Sequence, residues 1–332
     1  MKIIEPSAQI MTELDKMSLA ERIGRCAAIC YKSEGKLTDA ASAEVLAGKM
    51  VKSQHNSTLE MAPVTMEFEI EGGGSGLPEG VKHHPIVLDL FESCPKYLVI
   101  DSLGEGKYLI SSTVRGFREF VMEHPESELG WAMRADLLPS GLVHDVKVHE
   151  APSLSTVVWE RRLSLNEIDK LPPKLHLRHR QVTVKFIVNR AVTHEIVRHR
   201  PVSFLQESQR YCSYDKEQFG NEVTFIKPMF FAEGTEEYAL WREAMAETES
   251  VYLKLLKTSS PQAARTVLPN SCKTEIIVQA NLVEWEHILH LRCGEPAEPS
   301  MREVMIPLRE DFCKMFPGYS FDRRMPEGWV QQ

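Results

Sequence analysis

The chain has 332 residues, 43% hydrophobic and 26% charged, which rules out overall disorder and suffices for two domains or one large domain carrying an insertion. Lys and Arg total 39 against 47 Asp and Glu, and a net charge of −8 argues against a sequence-blind nucleic-acid binder held by phosphate neutralisation. MKIIEPSAQIMTELDK places acids and a proline where a signal peptide needs an apolar core, no stretch approaches the ~20 apolar residues of a membrane span, and the seven cysteines form no CxxC pair, so a cytoplasmic address with reduced thiols and no membrane contact is expected.

Residues 11 to 51 read as two helices, the first through Leu19, Ile23 and Cys26, the second over TDAASAEVLAGKMV with Thr38 or Asp39 as its cap. APVTMEFEI alternates Val64, Met66, Phe68 and Ile70 against Thr65, Glu67 and Glu69, the period of a strand with one buried face. It runs into EGGGSG, which lacks the GK[ST] ending of a phosphate loop and reads as a linker. Residues 72 to 180 are broken into short pieces by glycine and proline and read as an insertion or subdomain, with a strand then a helix in KYLISSTVRGFREFVMEH and a strand in SLSTVVWERRLSL. VTVKFIV reads as a strand from its β-branched residues, AVTHEIVRHR as a helix stopped by Pro201, and VSFLQESQRYCSY as a loop or irregular extended segment. The last third, EEYALWREAMAETESVYLKLLK, SPQAARTVL, KTEIIVQANLVEWEHILHLR and SMREVMIPLREDFCKMF, reads as helical from its three- and four-residue apolar spacing.

The densest chemical signal is RHRPVSFLQESQRY, residues 198 to 211, which concentrates guanidinium groups in a net-acidic protein. Guanidinium forks bind phosphate bidentately. If the segment is extended, Gln206, Ser208 and Arg210 share a face and offer an amide, a hydroxyl and a guanidinium to a nucleotide-sized anion. A solvated basic turn at a helix C-terminus, where the dipole favours cations, accounts for the same residues.

Arg198-His199-Arg200, seven residues, then Ser208 resembles the RHR-x7-S signature of the flavin-dependent thymidylate synthases. HNSTLE at 55–60 resembles the upstream H-x-S/T-x-x-E element of that family, and ARTVLPNSCKTEIIVQANLVEWEHILHLR at 264–292 resembles its C-terminal block. The resemblance covers 15–70 and 181–312 and is weak over 72–180. It implies an α/β (α+β) fold with a central sheet flanked by helices, a single domain over 1–332 with 72–180 as an insertion or elaboration, and a homotetramer with active sites shared between chains. The implied reaction is the reductive methylation of dUMP to dTMP by a methyltransferase that uses methylenetetrahydrofolate as carbon donor, FAD as hydride carrier and NADPH as reductant.

Carried over by position, Arg198, His199, Arg200 and Gln206 would hold the flavin. Glu195, Arg198, Gln206, Glu207, Ser208, Gln209, Arg210 and Arg265 would surround dUMP, with the backbone around 206 and 207 taking part. Arg292, the implied catalytic residue, would sit at the uracil edge and stabilise negative charge developing there. Asn281 and His287 would line the flavin, Ser57 would reach FAD from a neighbouring subunit, and His55 would lie near the folate. No enzyme nucleophile is required in this family, so none of the cysteines has to be catalytic, Cys212 beside Tyr211 included. Glu195 stands where the family commonly carries glutamine, and two alternatives are open for it, a protonated carboxyl or a pair with His199 one helical turn on. Two other readings stay open: a flavoprotein of the same fold without methyl transfer, and a non-catalytic nucleotide- or RNA-binding module.

No metal is expected, since His83 and His84 lack spaced Cys or Asp ligands nearby. A second RHR, Arg178-His179-Arg180, lacks a downstream serine and reads as a surface basic turn, while Trp285 and Leu289 at i, i+4 read as core.

Overall fold

The computed structural model describes residues 1–71, 85–93, 98–147, 157–210 and 222–321. Two short strands, β1 (Lys2–Ile4) and β2 (Ser7–Ile10), precede α1 (Leu19–Tyr31) and α2 (Ala40–Lys52). Ser18 caps α1, and Asp39 caps α2 in a capping box with Ser42. The two helices cross at Gly24, where a Cβ would stand 1.9 Å from the Ala43 carbonyl oxygen. A one-turn helix, α3 (Asn56–Leu59), carries the HNSTLE element.

The chain then enters an antiparallel four-stranded sheet built from β3 (Pro63–Ile70), β4 (Val99–Gly104), β5 (Lys107–Thr113) and β6 (Val157–Arg162) in the order β4-β5-β3-β6. The central strand β3 thus comes from before residue 72 and its neighbours from after it. Met66, Phe68 and Ile70 are buried while Glu67 and Glu69 stay half-buried, as the alternation predicts; Thr65 departs from it, being buried with its hydroxyl 2.7 Å from that of Ser111. Three helices, α4 (Pro85–Ser93), α5 (Val114–Glu123) and α6 (Glu128–Leu137), pack Val87, Phe117, Phe120 and Met133 against Phe68 in one apolar core. The strand-then-helix pattern of residues 107–124 is realised with Thr113 as the cap of α5.

Two short helices, α7 (Leu165–Ile168) and α8 (Pro173–His179), lead to a second antiparallel sheet of order β2-β7-β10-β8, made with β7 (Gln181–Asn189), β8 (Ser203–Gln206) and β10 (Lys273–Asn281). The single central sheet expected is therefore two four-stranded sheets among the described residues. Helix α9 (Arg190–Ile196) follows β7 directly, and β9 (Thr224–Ile226) pairs in parallel with β1. The C-terminal helices are α10 (Glu236–Leu256), the single turn α11 (Pro261–Ala264), α12 (Leu282–Cys293) and α13 (Pro299–Met315). Trp285 and Leu289 of α12 are buried with Phe312 of α13 against β7 and β10.

KTEIIVQAN, expected as the first half of a helix, is the strand β10, bonded on both sides and buried along Thr274–Ala280. A strand covered on both faces carries an unbroken apolar run instead of an alternation, and the β-branched Thr274, Ile276, Ile277 and Val278 were its signal. Asn281 marks the switch, because its side chain accepts the Glu284 N–H and caps α12. The irregular segment after Pro201 contains β8, an edge strand whose pairing with β10 supplies the order its polar sequence does not.

The second RHR is not a surface turn: His179 is 1% and Arg180 6% exposed. Arg178 Nε donates to Asp101 Oδ2 at 2.7 Å, the His179 ring lies 3.0 Å from the same oxygen, and Arg180 pairs with Asp15 at 2.7 Å and Asp169 at 2.9 Å. Asp101 and Asp15 are 77 and 165 residues away along the chain, so local sequence could not reveal that these charges are paired. The glycine run at 72–76, His83, His84 and Cys212 lie outside the described residues.

Candidate active site

The segment after β8 is held by the strand it leaves and by α1. The Glu207 N–H donates to the Glu275 carbonyl at 2.8 Å, and the Ser208 N–H donates to the Cys30 carbonyl at 3.2 Å. Side chains alternate along it: Glu207 and Gln209 are buried, while Gln206, Ser208 and Arg210 face outward. Gln206 Nε2 donates to the hydroxyls of Thr193 at 3.1 Å and Thr274 at 3.2 Å, which joins β8 to α9 and β10. Of the residues expected around a nucleotide, Glu207 and Gln209 thus turn their side chains inward, and the backbone N–H groups of 207 and 208 are already used.

The buried Glu207 carboxylate belongs to an ion cluster under this segment. Lys273 Nζ lies 2.9 Å from Glu207 and 2.5 Å from Glu275, Lys185 lies 2.7 Å from Glu275, and Lys32 pairs with Glu275 as well. Burial alone would raise the Glu275 carboxyl, but Lys273 and Lys32 hold it down to about 2. Two carboxylates and three ammonium groups of opposite sign allow charge to be buried here.

Ser208 and Arg210 open onto a cavity of about 360 Å³, whose wall also includes His55 and Ser57 from the α3 element and Arg265 after α11. Tyr31 and Arg190 line it too, and sequence reasoning had singled out neither. The Tyr31 hydroxyl is 2.6 Å from His55 Nδ1 and the two rings stack at 5.9 Å, which fixes the imidazole. Arg190 and Arg265 form no ion pair among the described residues. Three guanidinium groups therefore share one cleft with a serine hydroxyl. Arg190 was legible only as a basic residue directly after VTVKFIVN, a position that no spacing rule marks.

Glu195, Arg198, His199, Arg200, Asn281, His287 and Arg292 do not line that cavity. Most of them gather where the end of α9 meets the end of α12. Arg292 donates through Nε to His199 Nε2 at 2.9 Å, through one terminal nitrogen to the Glu195 carboxylate at 2.7 Å, and through the other to the Glu195 carbonyl at 3.1 Å. Glu195 thus pairs with Arg292, 97 positions away, rather than with His199. A guanidinium only donates, so His199 Nε2 accepts and its ring proton sits on Nδ1. Burial, then the neighbouring Arg292 and His287, pull the His199 imidazole down to about 4, which keeps it neutral. His287 meets His199 edge-on at 5.9 Å, and its own imidazole is lowered by burial and by His290 and Arg292.

Arg198 and Arg200 are exposed beside this cluster; Arg200 donates back to the Val197 and His199 carbonyls and lies 5.7 Å over the Phe204 ring. Asn281 stands apart, with its amide oxygen capping α12 and its amide nitrogen donating to the Arg178 carbonyl at 3.1 Å. Among the described residues no group of three His, Cys, Asp or Glu is arranged to hold a metal ion, and no helix is long and apolar enough to cross a membrane.

Residues 165–318, which include both groups except for Cys30, Tyr31 and the α3 element, match the protein family described as thymidylate synthase complementing protein. The chain is similar to a flavin-dependent thymidylate synthase of Pyrococcus furiosus, 38% identical over 169 residues that cover 48% of this chain and 68% of that one. It is also similar to the flavin-dependent thymidylate synthases of Thermococcus kodakarensis, 34% identical over 169 residues (47% and 68%), and of Corynebacterium efficiens, 34% identical over 146 residues (39% and 56%).

Proposed function

The chain belongs to the flavin-dependent thymidylate synthase family, and we propose that it converts dUMP to dTMP with methylenetetrahydrofolate as carbon donor and NADPH as reductant. The observation that carries this reading is the cleft in which Arg190, Arg210 and Arg265 surround Ser208. A phosphate dianion is the ligand such a set accommodates: guanidinium forks bind its oxygens in pairs, and each charge-assisted bond contributes roughly 1.5 to 3 kcal/mol where water is excluded. The Ser208 hydroxyl adds a donor, and Gln206, tied to Thr193 and Thr274, keeps the strand end in place.

The residues around α9 and α12 fit a flavin nucleotide. Exposed Arg198 and Arg200 suit its diphosphate, while neutral His199 and His287 offer an uncharged edge to a flat ring. Ser57 and Asn281 belong to the same reading. FAD, when bound, supplies the hydride. Arg292 has five N–H donors, of which three are held by His199 and Glu195, so the remaining two are aimed without rotational freedom. Preorganised donors of this kind stabilise the negative charge that grows at the uracil edge when the pyrimidine is attacked. A cysteine nucleophile is not needed: burial, with Glu207 adding to it, pushes the Cys30 thiol at the cleft up to about 11, so it stays protonated.

Because His55 and Ser57 line one cavity and Arg198 and Arg292 another part of the surface, we read the complete site as assembled between copies in a homotetramer. Residues 72–180 are an elaboration of one catalytic unit, since their sheet is completed by β3 from outside the segment. The test is the visible absorption spectrum of protein loaded with FAD and freed of excess, recorded with and without dUMP, followed by assay of dTMP. A retained flavin band that shifts with dUMP, and dTMP in turnover, are expected. Retained flavin without dTMP would favour a binding homologue, and no retained flavin would overturn the reading.

A further inference from the structure

The α3 element brings His55 and Ser57 to the cleft and is held at its start by the Tyr31–His55 bond and the His55 N–H to the Met50 carbonyl, and in its middle by buried Thr58 and Leu59. It is a single turn, and its N-cap residue His55 makes no side-chain cap bond. Its far end is Glu60, 6% exposed, whose carbonyl accepts from Gln279 Nε2 at 2.7 Å. A carboxylate buried to this degree requires a cation, and the cation comes from outside the family-matching segment: Arg115, at the start of α5, lies 2.5 Å from Glu60 Oε1. Arg115 is itself fixed by Glu119 at 2.7 Å, and the Val114 N–H donates to the Ala62 carbonyl at 2.9 Å, so two successive residues of α5 grip both sides of Met61.

We propose that Arg115 is a positioning residue that, through Glu60, sets the α3 element against the cleft, so that the inserted segment controls the placement of His55 and Ser57. Loss of the guanidinium removes the 2.5 Å ion pair that anchors the Glu60 carboxylate and loosens the turn that His55 and Ser57 stand on. Ser208, Arg210 and Arg265 sit on other elements and stay where they are. The inference rests on the thymidylate synthase reading only for what His55 faces, namely the folate.

Two measurements test it on the full-length protein. In Arg115→Met, amide hydrogen exchange across residues 55–62 should speed up roughly tenfold or more while β7 and β10 keep their protection, and Arg115→Lys should restore most of it. In turnover, Arg115→Met should raise KM for methylenetetrahydrofolate roughly tenfold, with kcat falling less and dUMP affinity within about twofold of wild type. Unchanged exchange across 55–62 would overturn the proposal, as would a parallel loss of dUMP affinity, folate KM and protection throughout the molecule, which marks simple support of the fold. The expected exchange pattern in a protein that makes no dTMP would uphold the clamp and sink the assigned reaction instead.

Discussion

Replacing Arg292 with alanine removes three hydrogen bonds at 2.7 to 3.1 Å and, with them, the two donors that those bonds aim outward. Loss of one preorganised donor to a developing anion costs about 2.7 to 4 kcal/mol, so turnover should fall by roughly 10² to 10³ while flavin is retained, because Arg198, Arg200 and His287 are untouched. Arg292→Lys should fare little better, since an ammonium group cannot span His199, the Glu195 carboxylate and the Glu195 carbonyl together. Glu195→Gln keeps the bonds to His199 and to the Glu195 backbone and should cost only about tenfold. Single-turnover formation of dTMP from enzyme already reduced and loaded with dUMP measures these rates free of product release. An NMR titration of His199 supplies a second readout: Arg292 is, after burial, the main group pulling this imidazole down to about 4, so its removal should move the value upward. Turnover of Arg292→Ala within about threefold of wild type would take Arg292 out of the mechanism.

Glu275→Gln removes the carboxylate charge that Lys32, Lys185 and Lys273 share and should destabilise the fold by about 3 kcal/mol or more at neutral pH, read from the urea midpoint. The folded Glu275 carboxyl lies near 2, below its unfolded value, so its stabilisation is complete above about pH 5 and is lost as the pH falls toward 2; the variant should show a flatter acid arm over that window. Gly24→Ala drives a Cβ to 1.9 Å from a backbone oxygen of α2 and should cost roughly 3 kcal/mol by the same assay, a neutral result meaning that the α1–α2 crossing is looser than described. Gel filtration with activity assayed across the profile should find turnover only in the oligomer; a fully active monomer would refute sharing of the site between copies.

Much of the local arrangement of the candidate site was legible because it lies within short segments. The spacing from Arg198 to Ser208, the HNSTLE element and the outward alternation of Gln206, Ser208 and Arg210 all lie within single short segments, where period and residue type are enough to place side chains. The helices of residues 11 to 51 and strands β3 and β7 were legible for the same reason, since each has one strongly marked face or a β-branched run. What tertiary structure alone decided depends on contacts between distant residues. β10 looked helical until two neighbours covered it, and the second RHR looked exposed until Asp101, Asp15 and Asp169 were brought to it. Glu195 met Arg292 rather than His199, and Glu60 met Arg115 from the inserted segment. Except for Asp169, 11 residues from Arg180, each charge or strand face takes its partner from 50 to nearly 170 residues away, and only the packing of the two sheets and their helices brings those partners within bonding distance.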